Sequence, residues 1–343
     1  MTKATKKTPL VSVLVVTYNQ EAYITQTLES LLMQDCAFPY EILIGEDCST
    51  DGTRELCQSM AAKYPDRIRL FLNEKNKGFI TNYFDILEHA QGKYLADCGG
   101  DDYWIRPDKL RLQVEILENH PDVSMVFGNW QMFHQKNGQL ETDRSGIRDD
   151  WYHPERIGTK AAEDYLNKRN FPRMVLSTAL FRTDLTQALI EEYPQLFRGK
   201  GVVCEDLPLT LGLLCKGPFY LMKEEVMVYR VLEKSVSHED TLEGNIKGFT
   251  FDVFLQTWDL AMTLNLQIQH LKPYLSTILP QLVHYAFIAS DQRWMKLLRR
   301  ECQSRNIPWG YKQQFLFYCS KHSLLNTSLL RLYNRTSPNR KQP

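Results

Sequence analysis

The chain has 343 residues, 43% of them hydrophobic and 24% charged, enough to bury a full α/β core plus an appended region, which excludes an intrinsically disordered protein. Forty-one basic residues balance 41 acidic ones, so no global field points to nucleic acid as a partner. The balance is uneven along the chain: eleven Lys and Arg against two acids lie in residues 291–343.

The eight cysteines form no Cys-x-x-Cys pair and read as reduced, structural thiols. No run reaches the roughly 18 apolar residues of a membrane span, and Leu10 to Val16, after the basic start, is too short for a signal h-region. The expected location is the cytoplasm, free or peripheral on the inner face of the membrane. The basic C-terminal stretch with Trp309, Tyr311 and Phe315 offers a surface for peripheral membrane contact, and a helical cap with a solvated basic face explains the same pattern.

In chain order, Leu10 to Val16 reads as a strand and Glu21 to Met33 as a helix with Ile24, Leu28 and Leu31 on one face. Strands at Tyr40 to Gly45, Ile68 to Leu72 and Lys93 to Asp97 alternate with helices at Asp51 to Lys63 and Gly78 to Ala90. That alternation predicts a doubly wound, mostly parallel sheet, in which ligands bind beyond the carboxyl ends of the strands. A helix from Pro107 to Asn119, β character over Asp122 to Phe133 and a polar loop from Gln135 to His153 follow. Further on come a strand near Leu176 to Phe181, helices over Asp184 to Glu192 and Asp206 to Cys215, and a strand pair within Phe219 to Val231. Beyond about Glu243 only amphipathic helices are expected. The predicted division is a tail at 1–8, a catalytic domain at 9–244 (a nucleotide-binding half at 9–104 and an acceptor half at 105–244), and a helical region at 245–343.

The strand ends carry the chemistry. A carboxylate placed as Asp47 is, directly after the second strand, can accept from the N3–H of a uracil ring, although a capped turn uses the same residues. After the fourth strand, Gly99-Gly100 lets backbone approach a ligand, and Asp101-Asp102 makes a hard-oxygen site suited to Mg²⁺ or Mn²⁺ on a diphosphate. Glu205-Asp206 opens a helix, where the dipole favours an ionised general base; an ordinary N-cap is the structural alternative. Arg230 can reach phosphate and His238 a metal or phosphate, while a salt bridge and a solvated histidine fit equally.

Taken in order, Val-Ser-Val-Leu-Val-Val-Thr-Tyr-Asn-Gln, Glu-Asp-Cys-Ser-Thr-Asp-Gly-Thr, Asn73-Glu-Lys-Asn76-Lys-Gly78, Gly-Asp-Asp-Tyr-Trp and Glu-Asp resemble the family 2 glycosyltransferases over about residues 9–238. The resemblance implies a GT-A fold and an inverting, metal-dependent enzyme that moves a sugar from a nucleotide diphosphate donor, a UDP-sugar, to a saccharide or lipid-linked saccharide acceptor. It implies that Thr17, Tyr18, Asn19, Glu21, Asn76 and Gly78 line the nucleotide site with Asp47, Asp101 and Arg230. By the same resemblance Asp101 and Asp102 form the metal motif and Asp206, with Glu205 beside it, is the catalytic carboxylate; His238, read from its place after the last strand, is a further metal candidate. Glu46 and Cys48 depart from the usual family residues, and the adjacent acid pair leaves open whether Asp101 meets the metal or a donor hydroxyl. Two other readings stand beside this one: a sugar-1-phosphate nucleotidyltransferase, whose Gly-rich basic loop is missing after the first strand, and a non-catalytic nucleotide-sugar-binding module.

Overall fold

The computed structural model describes residues 8–142, 144–169, 171–232, 246–288 and 290–321. They form two compact units: the first holds residues up to Tyr165 and from Phe171 to Leu232, the second Leu166–Arg169 and the described residues from Ile246 onward.

In the first unit β1 (Val11–Thr17) is buried throughout, as its unbroken β-branched run demands of a strand covered on both faces. Helix α1 (Ile24–Leu32) buries Ile24, Leu28 and Leu31 at helical spacing. Then come β2 (Tyr40–Glu46), α2 (Thr53–Lys63), β3 (Ile68–Leu72), α3 (Phe79–Leu87), β4 (Tyr94–Asp97), β5 (Tyr103–Trp104), α4 (Lys109–Asn119) and β6 (Met125–His134). The chain continues through β7 (Gln139–Glu141), β8 (Trp151–Tyr152), α5 (Gly158–Leu166), β9 (Leu180–Arg182), α6 (Thr183–Glu192), α7 (Pro194–Arg198), α8 (Asp206–Lys216) and β10 (Phe219–Val231).

The strands make one sheet in the order β3-β2-β1-β4-β9-β6-β10-β5, with β7 on β6 and β8 on β10. The pairs β3/β2, β2/β1, β1/β4 and β6/β10 are parallel, while β9 runs antiparallel between β4 and β6. This is the expected mostly parallel sheet in mixed form, and it sends the ends of β1, β2 and β4 to one edge.

Three local expectations change. Phe219 to Val231 is a single strand, not a pair: its register shifts between Leu221 and Glu225 and between Glu225 and Met227, so an irregularity absorbs the polar Lys-Glu-Glu run that reads as a turn. The Leu176 to Phe181 strand is half a 3-10 turn, Leu176–Thr178, in which the Thr178 hydroxyl donates to the Val175 carbonyl at 2.7 Å. The polar stretch from Gln135 to His153 carries β7 and β8, too short to leave a periodic signal.

The second unit contains the α-helices Phe251–Thr263, Lys272–Ile288, Gln292–Ser304 and Tyr311–Ser320, and no strand among the described residues. Trp258, Leu282, Val283 and Leu298 are in its core, and the Trp258 indole donates to the Arg305 carbonyl at 3.1 Å. Tyr311, Phe315 and Tyr318 stand exposed on its last described helix. Among the described residues no helix is long and apolar enough to cross a membrane. The expected boundary near Gly244, the metal candidate His238 and the basic residues from Arg331 on lie outside the described residues.

Candidate active site

The turn after β1 and the turn after β2 are laced together. Asn19, at φ 52°, donates its backbone N–H to Ser49 Oγ at 3.0 Å, and its side-chain oxygen accepts from Thr50 N at 2.8 Å. Glu21 does the same from the helix side, accepting from Gly52 N at 2.7 Å. Thr17 is buried and Tyr18 exposed, so of these neighbours only Tyr18 presents a large free face.

Asp47 lies buried behind this turn. Its Oδ1 accepts from Asn73 Nδ2 and Lys77 N, and its Oδ2 from Gly78 N, all at 2.9 Å. A carboxylate has about four lone-pair positions, so three in-chain donors leave room for one more on Oδ2. Asn76 Oδ1 also accepts from Gly78 N, and Gly78 holds φ 83°, a conformation glycine adopts without strain. Glu46, the departure from the usual family residue, is fully buried and paired with Arg54, which also donates to the Asn73 carbonyl at 2.6 Å.

The second constellation lies where β4 ends. A Cβ at Gly100 would sit 2.3 Å from Gln20 Oε1 and 2.9 Å from Thr17, so glycine is what lets this turn close on the one after β1. Thr27 accepts that closure, donating to the carbonyls of Gly100 at 3.0 Å and Asp102 at 2.6 Å. Arg230 reaches in from β10: its backbone N–H donates to Asp102 Oδ1 at 2.9 Å, and its guanidinium donates to the Asp101 carbonyl and to Gln26 Oε1. The same guanidinium stacks over Tyr23 and Tyr103, at 5.1 and 4.6 Å from the ring centroids.

Five acids in this unit are pushed upward, each chiefly by burial. Asp102 lies well above the ordinary carboxylate range, with the Asp101 charge adding to burial, and Asp101 itself is raised. Glu205 is likewise well above it, with Asp206 and then Asp97 adding; Asp206 is raised by burial, and its hydrogen bond with Glu205 lowers it. The two adjacent carboxyls interact, and both are raised above the ordinary carboxylate range. Asp206 is solvent-exposed at the start of α8, whereas Glu205 beside it is buried. Glu205 as N-cap makes no side-chain capping bond.

Asp97, the last residue of β4, is the site residue that sequence reasoning passed over. It is buried, accepts from Ser177 Oγ at 3.3 Å, and lies beside the buried hydroxyl of Tyr83. Burial and the Asp206 charge push it up to about 7, and the fully buried Lys109 ammonium partly opposes them. Asp97 therefore links the Asp101-Asp102 turn to the Glu205-Asp206 helix start. Its strand-end position was the available signal, masked because the strand reading absorbed it. Among the described residues no three Asp, Glu, His or Cys side chains converge as a ready-made metal cage.

The sequence profile described as Glycosyl transferase family 2 matches residues 12–190, just over half of the chain. The Escherichia coli UDP-Glc:alpha-D-GlcNAc-diphosphoundecaprenol beta-1,3-glucosyltransferase WfgD is 31% identical over 129 residues, 37% of this chain and 48% of that protein. The chain spans about half the length of the curated relatives it matches. Among solved structures, S. aureus TarS 1-349 in complex with UDP-GlcNAc superposes with a TM-score of 0.55 at 18% identity, over 92% of this chain and 91% of that one. The mannosyltransferase PcManGT from Pyrobaculum calidifontis, in complex with GDP-Man and Mn2+, gives 0.50 at 16% identity, over 94% and 87%. These likenesses establish an α/β fold of the GT-A type with a C-terminal helical region, and by the match over residues 12–190 the chain belongs to glycosyl transferase family 2.

Proposed function

We propose that the protein transfers a sugar from a nucleoside diphosphate donor, a UDP-sugar, to a hydroxyl of a saccharide or lipid-linked saccharide, with inversion at the anomeric carbon. The observation that carries this reading is the grouping of Asp97, Asp101-Asp102 and Glu205-Asp206 around the end of β4, together with the Asp47 carboxylate held at the end of β2. TarS with its bound UDP-GlcNAc, and WfgD with a UDP-Glc donor and a lipid diphosphate-linked acceptor, support donor and acceptor of this kind.

Asp47 accepts the base N3–H on its remaining lone pair, and Asp206 takes the acceptor proton. As the acceptor oxygen bonds to the anomeric carbon, the bond to the diphosphate oxygen breaks on the opposite face and the nucleoside diphosphate leaves. Glu205, buried beside Asp206 and raised above the ordinary carboxylate range, orients the Asp206 carboxylate. Asp101 and Asp102 fit a Mg²⁺ or Mn²⁺ ion, because such ions are commonly held by one or two carboxylates with the remaining positions filled by phosphate and water. Asp102 is buried and Asp101 half-buried, both are shifted upward, and Arg230 is the nearby cation. Bound there, the ion would neutralise charge developing on the leaving diphosphate.

Release of UDP, GDP or dTDP from a panel of nucleotide sugars with Mn²⁺ tests the reading directly. Asp206→Asn should leave donor affinity intact and lower transfer by about a hundredfold or more, with Glu205→Gln milder. Near wild-type transfer by Asp206→Asn would remove the base assignment.

A further inference from the structure

Residues 145–151 with Arg156, Phe171 and Pro172 enclose an open hollow of about 600 Å³ in the first unit, away from the acids described above. Its aromatic wall is rigid. Trp151 belongs to β8, hydrogen-bonded in register to Leu221 of β10, and Asp150 before it is pinned by the Tyr220 hydroxyl at 2.7 Å and Lys223 N at 3.0 Å. The Trp151 and Phe171 rings stand 5.3 Å apart, and the Arg156 guanidinium caps both at 5.6 and 5.5 Å. Ser145 at the floor is held by Asn129 Oδ1 at 3.0 Å, while Arg148 and Asp149 stand exposed at the rim.

The hollow connects to the chemistry. Phe171 packs edge-on against Tyr165 at 5.7 Å, and Tyr165 in turn lies close enough to Asp206 to sense its charge. Two aromatic contacts thus lead from the hollow to the neighbourhood of the catalytic carboxylate.

We propose that this hollow is a remote acceptor subsite, which binds a sugar unit of the acceptor beyond the one that reacts, with Trp151 and Phe171 as its platform and Arg148, Asp149 and Arg156 as its polar rim. The chemistry matches a pyranose, whose apolar C–H face lies flat on an aromatic ring while its equatorial hydroxyls radiate toward side groups able to donate and accept. A fixed platform limits the ordering that binding requires, since Trp151 is locked by a strand. The inference deepens the proposed transferase reading and rests on it for the identity of the ligand as an acceptor.

The test reads binding without turnover. Saturation-transfer NMR with maltotriose, chitotriose and trigalacturonic acid at about 1–10 mM, the range of weak binding, should show contact between at least one trisaccharide and the wild-type protein. Trp151→Ala and Phe171→Ala should weaken it about tenfold or more. Trp151→Phe, which keeps an aromatic face and the strand packing, should lose only a few-fold and guards against a folding artefact. Contact with none of the three sugars, or undiminished contact in Trp151→Ala and Phe171→Ala, overturns the subsite. The transferase reading fails on a different result, namely no nucleotide release from any donor, so the two failures are distinguishable.

Discussion

Two strand-end regions of one sheet treat their carboxylates in opposite ways. After β2, Asp47 is buried among donors: an amide side chain and two backbone N–H groups point at it, and Glu46 next to it is matched by Arg54. After β4, burial is as deep but donors are few. Asp97, Asp101 and Asp102 share one arginine and one buried lysine, and burial pushes all three upward. The first region is completed by the chain's own donors and presents a fixed acceptor to a ligand. The second holds more negative groups than its own cations satisfy, the state of a site whose charge is completed by a bound ion or by protons.

The contrast breaks most sharply at Asp102. Removing a hard-oxygen ligand from the under-compensated region should abolish Mn²⁺-dependent UDP binding, a loss of about a hundredfold or more by calorimetry. Unchanged binding in Asp102→Ala would show that the acids after β4 need no cation.

Asp47→Ala tests the opposite side. Three donors lose their acceptor at once, so the fold should weaken by about 2 kcal/mol in urea denaturation, and UDP affinity should fall about tenfold. A stable variant with normal affinity would mean that the turn after β2 does not depend on its carboxylate.

The smallest effect sharpens the comparison through pH. The folded-state pKa of Asp97 is about 7 against an ordinary value of 3.8, so the stability it contributes is full below about pH 4 and is lost as pH rises through about 7. Asp97→Asn removes that dependence. Its Tm should match wild type near pH 4 and exceed it by on the order of 5 °C near pH 8, in the absence of divalent metal. Equal melting at both pH values would place Asp97 in a better-compensated setting than its neighbours indicate.

Much of this was legible in the residues. The unbroken run of β1 and the helical spacing of Ile24, Leu28 and Leu31 announce buried strand and amphipathic helix because each period is local. The acid pairs after the fourth strand and at the helix start were visible for the same reason. What stayed hidden depends on partners distant in sequence: β8 is two residues long and exists only because β10 is there to pair with it. Helix α7 is a five-residue turn begun by Pro194, below the length at which periodicity can speak.

The sequence by itself determined the alternating α/β order, the family likeness and the identity of the acids beyond the strands, since all of these are written in neighbouring residues. Only the tertiary structure decided how those acids behave. Glu205 is buried at the helix start and pushed well above the ordinary carboxylate range, while Asp206 beside it stays exposed. Asp97 joins two turns more than a hundred residues apart, and Trp151 meets Phe171 across twenty residues of chain. Desolvation and charge are sums over everything packed nearby, and no local pattern of residues contains that sum.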